Sequence, residues 1–243
     1  MPNTGKQSIN SDPETLAVDI GGTGVKMMLL SSKGKPITER LREPTPVPAT
    51  PEAVLALLDQ LKQKMPKFDR VSVGFPGVVK QGKTLTAHNL DSKWKGFDLR
   101  QYLEERWGRP VRVCNDAAVQ GYGAIKGKGV ELVLTFGTGL GSSLFTDGHL
   151  CPGLELAHHP WRKGKTYEEY LGRDGLKKYG VKHWNKLIER AMDQTAKLFN
   201  WDYLYVGGGN AEKIAFQLPP NTLIVSNEDG LLGGVALWNL DQS

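Results

Sequence analysis

A chain of 243 residues with 39% hydrophobic content is long and apolar enough to bury one large core, or two smaller ones around a cleft, which excludes a disordered polymer. No apolar run reaches the length of a membrane span and the polar opening lacks a signal-peptide core. Two cysteines, Cys114 and Cys151, fall short of a structural zinc site, so the composition predicts a cytoplasmic protein with reduced thiols and a disordered tail over residues 1–14. The net charge of +5 is localised: between Arg162 and Arg190 nine basic residues face four acidic ones, and the remainder, 22 against 22, is neutral.

In chain order, residues 15–20 (TLAVDI) form a short apolar run, Gly21-Gly22-Thr23-Gly24 turns the chain, and residues 25–31 are apolar at nearly every position. This spacing predicts two buried strands joined by a glycine hairpin. A P-loop or dinucleotide fold would place a helix directly after its glycines, and the P-loop lysine pattern is missing. Residues 42–51 read as a proline-rich loop before a helix at 52–64, and 71–75 read as a strand ending at Pro76-Gly77. Asp98, with Gln101 three residues on, is placed to cap a helix. Residues 111–114 form a strand that delivers Asn115-Asp116 to the start of an Ala/Gly-rich helix. Residues 131–136, 137–141 and 142–146 then repeat the strand, glycine turn and strand of the N-terminus. The basic window from Arg162 to Arg190 is either a solvated helical face or a track for a polyanion. Apolar residues at helical spacing between 184 and 199 predict a packed helix. A strand at 203–206 leads into Gly207-Gly208-Gly209-Asn210 and a further helix, and residues 229–238 read as a closing helix. Two glycine hairpins about 118 positions apart suggest two similar halves, an N-terminal α/β domain over 15–115 and a C-terminal one over 116–243, facing each other across a cleft.

Phosphoryl transfer chiefly needs positioning and charge stabilisation. A glycine turn lets backbone N–H groups approach phosphate oxygens without a side chain in the way. Asp19, Gly21, Gly22 and Thr23 offer one such turn; Gly137, Thr138 and Gly139 offer a second. Each taken singly is also an ordinary tight turn, and together they suggest a two-sided phosphate clamp. Asp116 is placed either to cap its helix or to act as a general base. Asn89, Asn115, Glu155, His158 and Glu168 supply donors and acceptors suited to a polyhydroxy ligand.

The ordered set DIGGTG, GFPGVV, NLDSKW, NDA, FGTGLG, ELAHH and VGGGN resembles the ROK sugar kinases from about residue 16 to 240. TAHNL and FGTGLGSSLF resemble its polyphosphate glucokinase branch. The resemblance implies an actin-like, ribonuclease H-like pair of α/β domains. It implies that Asp116 takes the proton of a hexose 6-hydroxyl, and that Asn89, Asn115, Glu155, His158 and Glu168 hold the sugar. Asp19, Gly21, Gly22, Thr23, Gly137, Thr138 and Gly139 would hold the donor phosphate with Mg²⁺, and Gly208 and Gly209 match the stretch near a nucleotide. The implied donor is inorganic polyphosphate or ATP, and the implied partners are a small sugar and a second copy of the chain in a homodimer, with neither nucleic acid nor membrane. The family's cysteine-rich zinc motif is missing after His158, so no structural zinc is expected and no residue is assigned to a metal site of the protein's own. Glu155-Leu156-Ala157-His158 carries Ala where the family has Gly. The alternatives are an ATP-dependent ROK glucokinase or other hexose kinase, and a sugar-sensing ROK regulator. A regulator requires a DNA-binding segment longer than the 18 residues preceding Asp19.

Overall fold

The computed structural model describes residues 12–87, 89–151, 153–225 and 229–238. Residues 1–11 of the expected tail lie outside that set. Two five-stranded mixed sheets carry the molecule. The first contains β1 (Thr15–Ile20), β2 (Val25–Leu30), β3 (Leu41–Glu43), β4 (Arg70–Phe75) and β8 (Val111–Asn115), ordered β3-β2-β1-β4-β8. The second contains β9 (Val130–Phe136), β10 (Leu140–Thr146), β11 (His149–Leu150), β14 (Tyr203–Gly207) and β15 (Thr222–Ile224), ordered β11-β10-β9-β14-β15. In each, a glycine hairpin pairs two strands antiparallel, and the first strand of the hairpin then pairs in parallel with a later strand. The second sheet therefore repeats the first. Three short strands, β5 (Val79–Lys80), β6 (Lys83–Thr84) and β7 (Phe97–Asp98), form a small sheet of their own, as do β12 (Pro160–Arg162) and β13 (Lys165–Thr166).

The strands read as continuous apolar runs because both faces of each sheet are covered. Leu16, Val18 and Ile20 enter the core formed with α1 (Pro51–Gln63) and α2 (Leu99–Trp107), while Ala17 faces the opposite side. Leu132, Leu134 and Phe136 pack under α5 (Arg173–Phe199), while Val133 packs with Phe145 and Tyr205. The helix ends are set locally. Thr50 accepts from the Ala53 N–H at 3.3 Å and Pro51 opens α1. Asp98 accepts from the Gln101 N–H at 3.0 Å, while the Gln101 side chain turns to Glu105 instead of closing the reciprocal half of a capping box. Gly180, at φ 72°, kinks α5.

Three expectations change. Residues 42–51 are not wholly loop, since β3 runs into them and pairs with β2. The stretch after Gly209 is a single 3-10 turn, Ala211–Lys213, because the chain leaves immediately for the sheet edge. The closing helix divides into α6 (Asp229–Leu232) and a 3-10 turn, Ala236–Trp238, around Gly233-Gly234. Gly233 lies so close to the Val119 carbonyl and Gly123 amide of α3 (Asp116–Ala124) that no side chain fits between. This last segment returns to the first sheet, where Leu231 and Val235 pack on Ala17, Met28 and Leu30. Among the described residues, no helix is long and apolar enough to cross a membrane.

Candidate active site

Strand register assembles the centre of the cleft. On one face of the first sheet, Arg42, Lys26, Asp19, Gly74 and Cys114 stand opposite one another across five strands. Asp19 and Lys26 pair at 2.7 Å. Gly74 leaves a gap in this row that Asp116 fills. A Cβ on Gly74 would stand 3.4 Å from the Asp116 Cα and 3.7 Å from Asp19 Oδ1, so the two carboxylates share one small space.

Asp116 opens α3 directly after β8, and its Oδ1 accepts from the Ala117 N–H at 2.8 Å. Burial pushes its carboxyl up from 3.8 to about 7, helped by the Asp19 and Glu155 charges and opposed by the Ala117 N–H and Lys26. A carboxylate titrating near neutrality is matched to proton abstraction at the operating pH. Its neighbour Cys114 is pushed up to about 11, chiefly by burial, so its thiol stays protonated and unreactive. Asn115 serves as the cap of α3: Oδ1 accepts from Ala117 and Ala118 N–H, and Nδ2 donates to the Gly77 carbonyl at 3.1 Å. Its acceptor is fully used, which leaves one amide hydrogen for a ligand.

Each glycine turn is closed by a backbone bond of 3.0 Å, Gly21 N–H to Gly24 O across three residues in the first and Gly137 N–H to Gly139 O across two in the second. Each also makes room for a polar side chain. A Cβ on Gly22 would stand 3.0 Å from the Asn89 Cβ. One on Gly139 would stand 3.5 Å from Asn89 Nδ2 and would collide with Glu168 Oε2. Asn89 thus touches both turns. Glu168, on α4 (Tyr167–Leu171), accepts from the Leu140 N–H at 3.0 Å. Glu155 precedes and His158 ends the 3-10 turn Leu156–His158, with Glu155 Oε2 and His158 Nε2 3.8 Å apart, and Ser142 Oγ anchors that loop by donating to the Leu154 carbonyl at 2.9 Å.

These elements enclose a cavity of about 530 Å³. It is lined by Asp116, by Asn89, Asn115, Glu155, His158 and Glu168, and by Asp19, Gly21, Gly22, Thr23, Gly137, Thr138, Gly139, Gly208 and Gly209. The residues assigned from the sequence to base, sugar and donor phosphate therefore meet in one place. Sequence reading missed others there. Asn210 donates from Nδ2 to the Gly137 carbonyl at 3.1 Å and ties the third glycine turn to the second. The VGGGN pattern contained that signal. Lys26, Arg40, Arg42 and Arg173 bring positive charge to the walls. Of the nine basic residues between Arg162 and Arg190, only Arg173 lines the cavity; Lys177, Lys178 and Lys182 are exposed on α5. Of the two readings of the basic window, their placement favours the solvated helical face.

Two sheets of like topology, each presenting a glycine turn to a shared cleft with a half-buried carboxylate at its floor, define a phosphoryl-transferring enzyme of the actin-like fold. The chain belongs to the ROK family, which it matches over residues 15–160. The polyphosphate glucokinase of Mycobacterium tuberculosis (strain CDC 1551 / Oshkosh) is 31% identical over 235 residues, covering 90% of this chain and 88% of that one. The crystal structure of an inorganic polyphosphate/ATP-glucomannokinase from Arthrobacter sp. strain KM aligns with a TM-score of 0.83 at 34% identity, over 94% of this chain and 99% of that one. A ROK family glucokinase from Streptomyces griseus, crystallised with glucose and AMPPNP, shares the fold at a TM-score of 0.71 and 22% identity, over 92% and 98%.

Proposed function

We propose that this chain is a hexokinase-type phosphotransferase that moves a phosphoryl group from inorganic polyphosphate, with ATP as a second donor, onto the 6-hydroxyl of glucose. The observation that carries the reading is the Asp116 carboxyl, raised to about 7 and set between two glycine turns in a cavity whose walls offer both hydroxyl partners and cations. The sugar oxygen attacks the terminal phosphorus, its proton passes to the Asp116 carboxylate, and the bond from that phosphorus to the rest of the donor breaks, the electron pair leaving with the shortened chain. Asn89, Glu155, His158 and Glu168, with the remaining amide hydrogen of Asn115, hold the sugar hydroxyls. Gly21, Gly22, Thr23, Gly137, Thr138 and Gly139 direct N–H groups and a hydroxyl at the donor phosphates.

Mg²⁺ suits this site as a companion of the donor. Among the described residues no group of three His, Cys, Asp or Glu is placed to cage a metal, and Asp19 is the carboxylate beside the first turn. That agrees with an ion that takes one or two carboxylates and draws its other ligands from phosphates and water. When bound, Mg²⁺ would neutralise charge developing on the donor; Asp19 would hold it. ATP finds support in the third turn, Gly208-Gly209, and in the double donor named for the Arthrobacter relative. That relative also makes mannose a candidate second sugar. We further take 15–115 and 116–243 as the two halves of the cleft, with the closing segment 229–238 crossing back to pack on the first, in a cytoplasmic homodimer whose assembly sedimentation would check.

A matrix of long-chain polyphosphate and ATP against glucose, mannose and N-acetylmannosamine, with Mg²⁺ present, tests the reading. The expected maximum is polyphosphate with glucose. Failure of every donor on every hexose would end the sugar-kinase reading.

A further inference from the structure

Four cations line the cleft, and the mechanism above uses none of them on the donor. Lys26 is held by Asp19 at 2.7 Å. Arg40, Arg42 and Arg173 line the same cavity, and among the described residues none of the three is in an ion pair with a carboxylate. Unneutralised guanidiniums converging on one cavity repel each other and focus a positive potential into it, which favours an anion there.

The strand fixes Arg42, which stands opposite Lys26 in the β2–β3 register. Arg40 lies just ahead of β3 and lines the same cavity. Gly24 bares its backbone to the Arg42 guanidinium, whose Nε lies 3.3 Å from where a Cβ would stand. The chain beyond β3 is tied to the first glycine turn, where Thr45 Oγ1 donates to the Gly21 carbonyl at 2.5 Å. The arginines are therefore carried at a set distance from the phosphate turn. Two strand spacings, about 10 Å, separate the Asp19 and Arg42 backbones, and the Arg42 guanidinium lies over Gly24, at the end of the first turn away from Asp19. A guanidinium presents a planar fork that engages two phosphate oxygens at once.

We infer that Arg40 and Arg42 form a second donor subsite, which grips the phosphates behind the transferred one and so favours a linear polyphosphate chain over a nucleotide. A chain supplies anion after anion along this wall, whereas the short triphosphate of ATP gives way to a neutral nucleoside. The inference rests on the polyphosphate reading above. It moves the polyanion contact from the lysines of α5 to the edge of the first sheet.

The test is steady-state kinetics of wild type, R40A/R42A and R40K/R42K with long-chain polyphosphate and with ATP across a salt series. In the alanine variant the polyphosphate KM should rise about ten-fold or more, the loss of at least one charge-assisted contact. The ATP KM should rise by a clearly smaller factor. The log–log dependence of polyphosphate kcat/KM on salt should become shallower by about 1.4, two phosphates at about 0.7 each by analogy with single-stranded nucleic acid. The lysine variant should restore the slope and only part of the KM, because the fork is lost while the charge stays. Should the double alanine variant fail to fold by circular dichroism, R40Q and R42Q measured singly carry the same comparison. Equal rises for the two donors, or an unchanged polyphosphate KM and slope, overturn the subsite and leave the donor reading standing. A wild type that turns over ATP and no polyphosphate overturns both, and that arm separates the two failures.

Discussion

Replacing Asp19 by Asn should move the acid limb of the pH–rate profile to lower pH. The Asp116 carboxyl sits at about 7 instead of 3.8, with burial the first cause and the Asp19 charge the second. That displacement corresponds to about 4 kcal/mol against the ionised form. Asparagine keeps the shape of Asp19 and removes its charge. It also frees Lys26 from a 2.7 Å ion pair, leaving a cation that itself lowers the Asp116 value. Burial is untouched, so the carboxyl should return only part of the way, by roughly one to two pH units. The base must be ionised to take the hydroxyl proton, so kcat/KM for the sugar rises with pH through the free-enzyme value of Asp116. The assay is kcat/KM from about pH 5 to about pH 9, with one donor and one Mg²⁺ concentration for both proteins so that donor titration cancels. Asp19 stands in the donor site and the rate itself will fall; the reading is the midpoint. A midpoint that stays near 7, or moves upward, refutes the coupling of the two carboxylates.

Asp116→Asn should lower turnover by roughly 10²–10⁴ and yet stabilise the protein. An acid raised on folding costs nothing below pH 3.8, costs progressively more up to about pH 7 and its full amount above, so the Tm gain should appear at neutral pH and vanish in acid. An equal deficit in Tm at every pH would contradict this. Gly139→Ala places a methyl where Glu168 Oε2 lies, and it should raise the sugar KM roughly ten-fold or more with a smaller effect on the donor KM; an unmoved sugar KM removes Glu168 from the sugar site. Saturating glucose should draw the two halves together, because an open cleft would let water take the phosphoryl group. Small-angle scattering should record a smaller radius of gyration, and an identical profile with bound sugar counts against closure.

The parts of the site legible in the sequence were those where backbone chemistry speaks locally. An apolar run, a glycine turn and a second apolar run identify a hairpin whatever surrounds it, and Asn115-Asp116 at a strand end before an Ala/Gly-rich stretch identifies a helix start. Register was not legible. Arg42 sits beside prolines in a strand of three residues, and only its pairing with Lys26 brings it to the cleft. The basic window left two readings open for the converse reason: a charge count along the chain does not say which way a helix turns its faces. Glu131 gave no signal either. It opens the run ELVLTF, and the structure buries it fully, accepting from the N–H groups of Lys126, Gly127 and Lys128 at 2.7, 2.8 and 3.1 Å and from the Tyr205 hydroxyl at 2.7 Å. Three of those partners are backbone amides of a loop, which side-chain patterns do not reveal.

The packing of α3 explains why the carboxylate proposed as the base begins that helix. From the second sheet, Ser143 Oγ donates to the Ala117 carbonyl at 3.0 Å, and Gly121 admits the Phe145 ring against the helix. From the other side Gly233 meets Val119 and Gly123, and the segment behind it is fastened to the first sheet. Ser72 Oγ donates to the Gly234 carbonyl at 2.6 Å and accepts from Trp238 Nε1 at 2.9 Å, while the Arg70 and Arg112 guanidiniums lie 5.2 and 4.7 Å from the Trp238 ring. The end of the chain thus clamps α3 onto the sheet that carries Asp19, and β10 holds it to the sheet that carries Gly137. A helix bonded to both sheets is the element that should move least in the closure on sugar expected above. Asp116 at its first turn would then keep its distance from both glycine turns while the loops around it close.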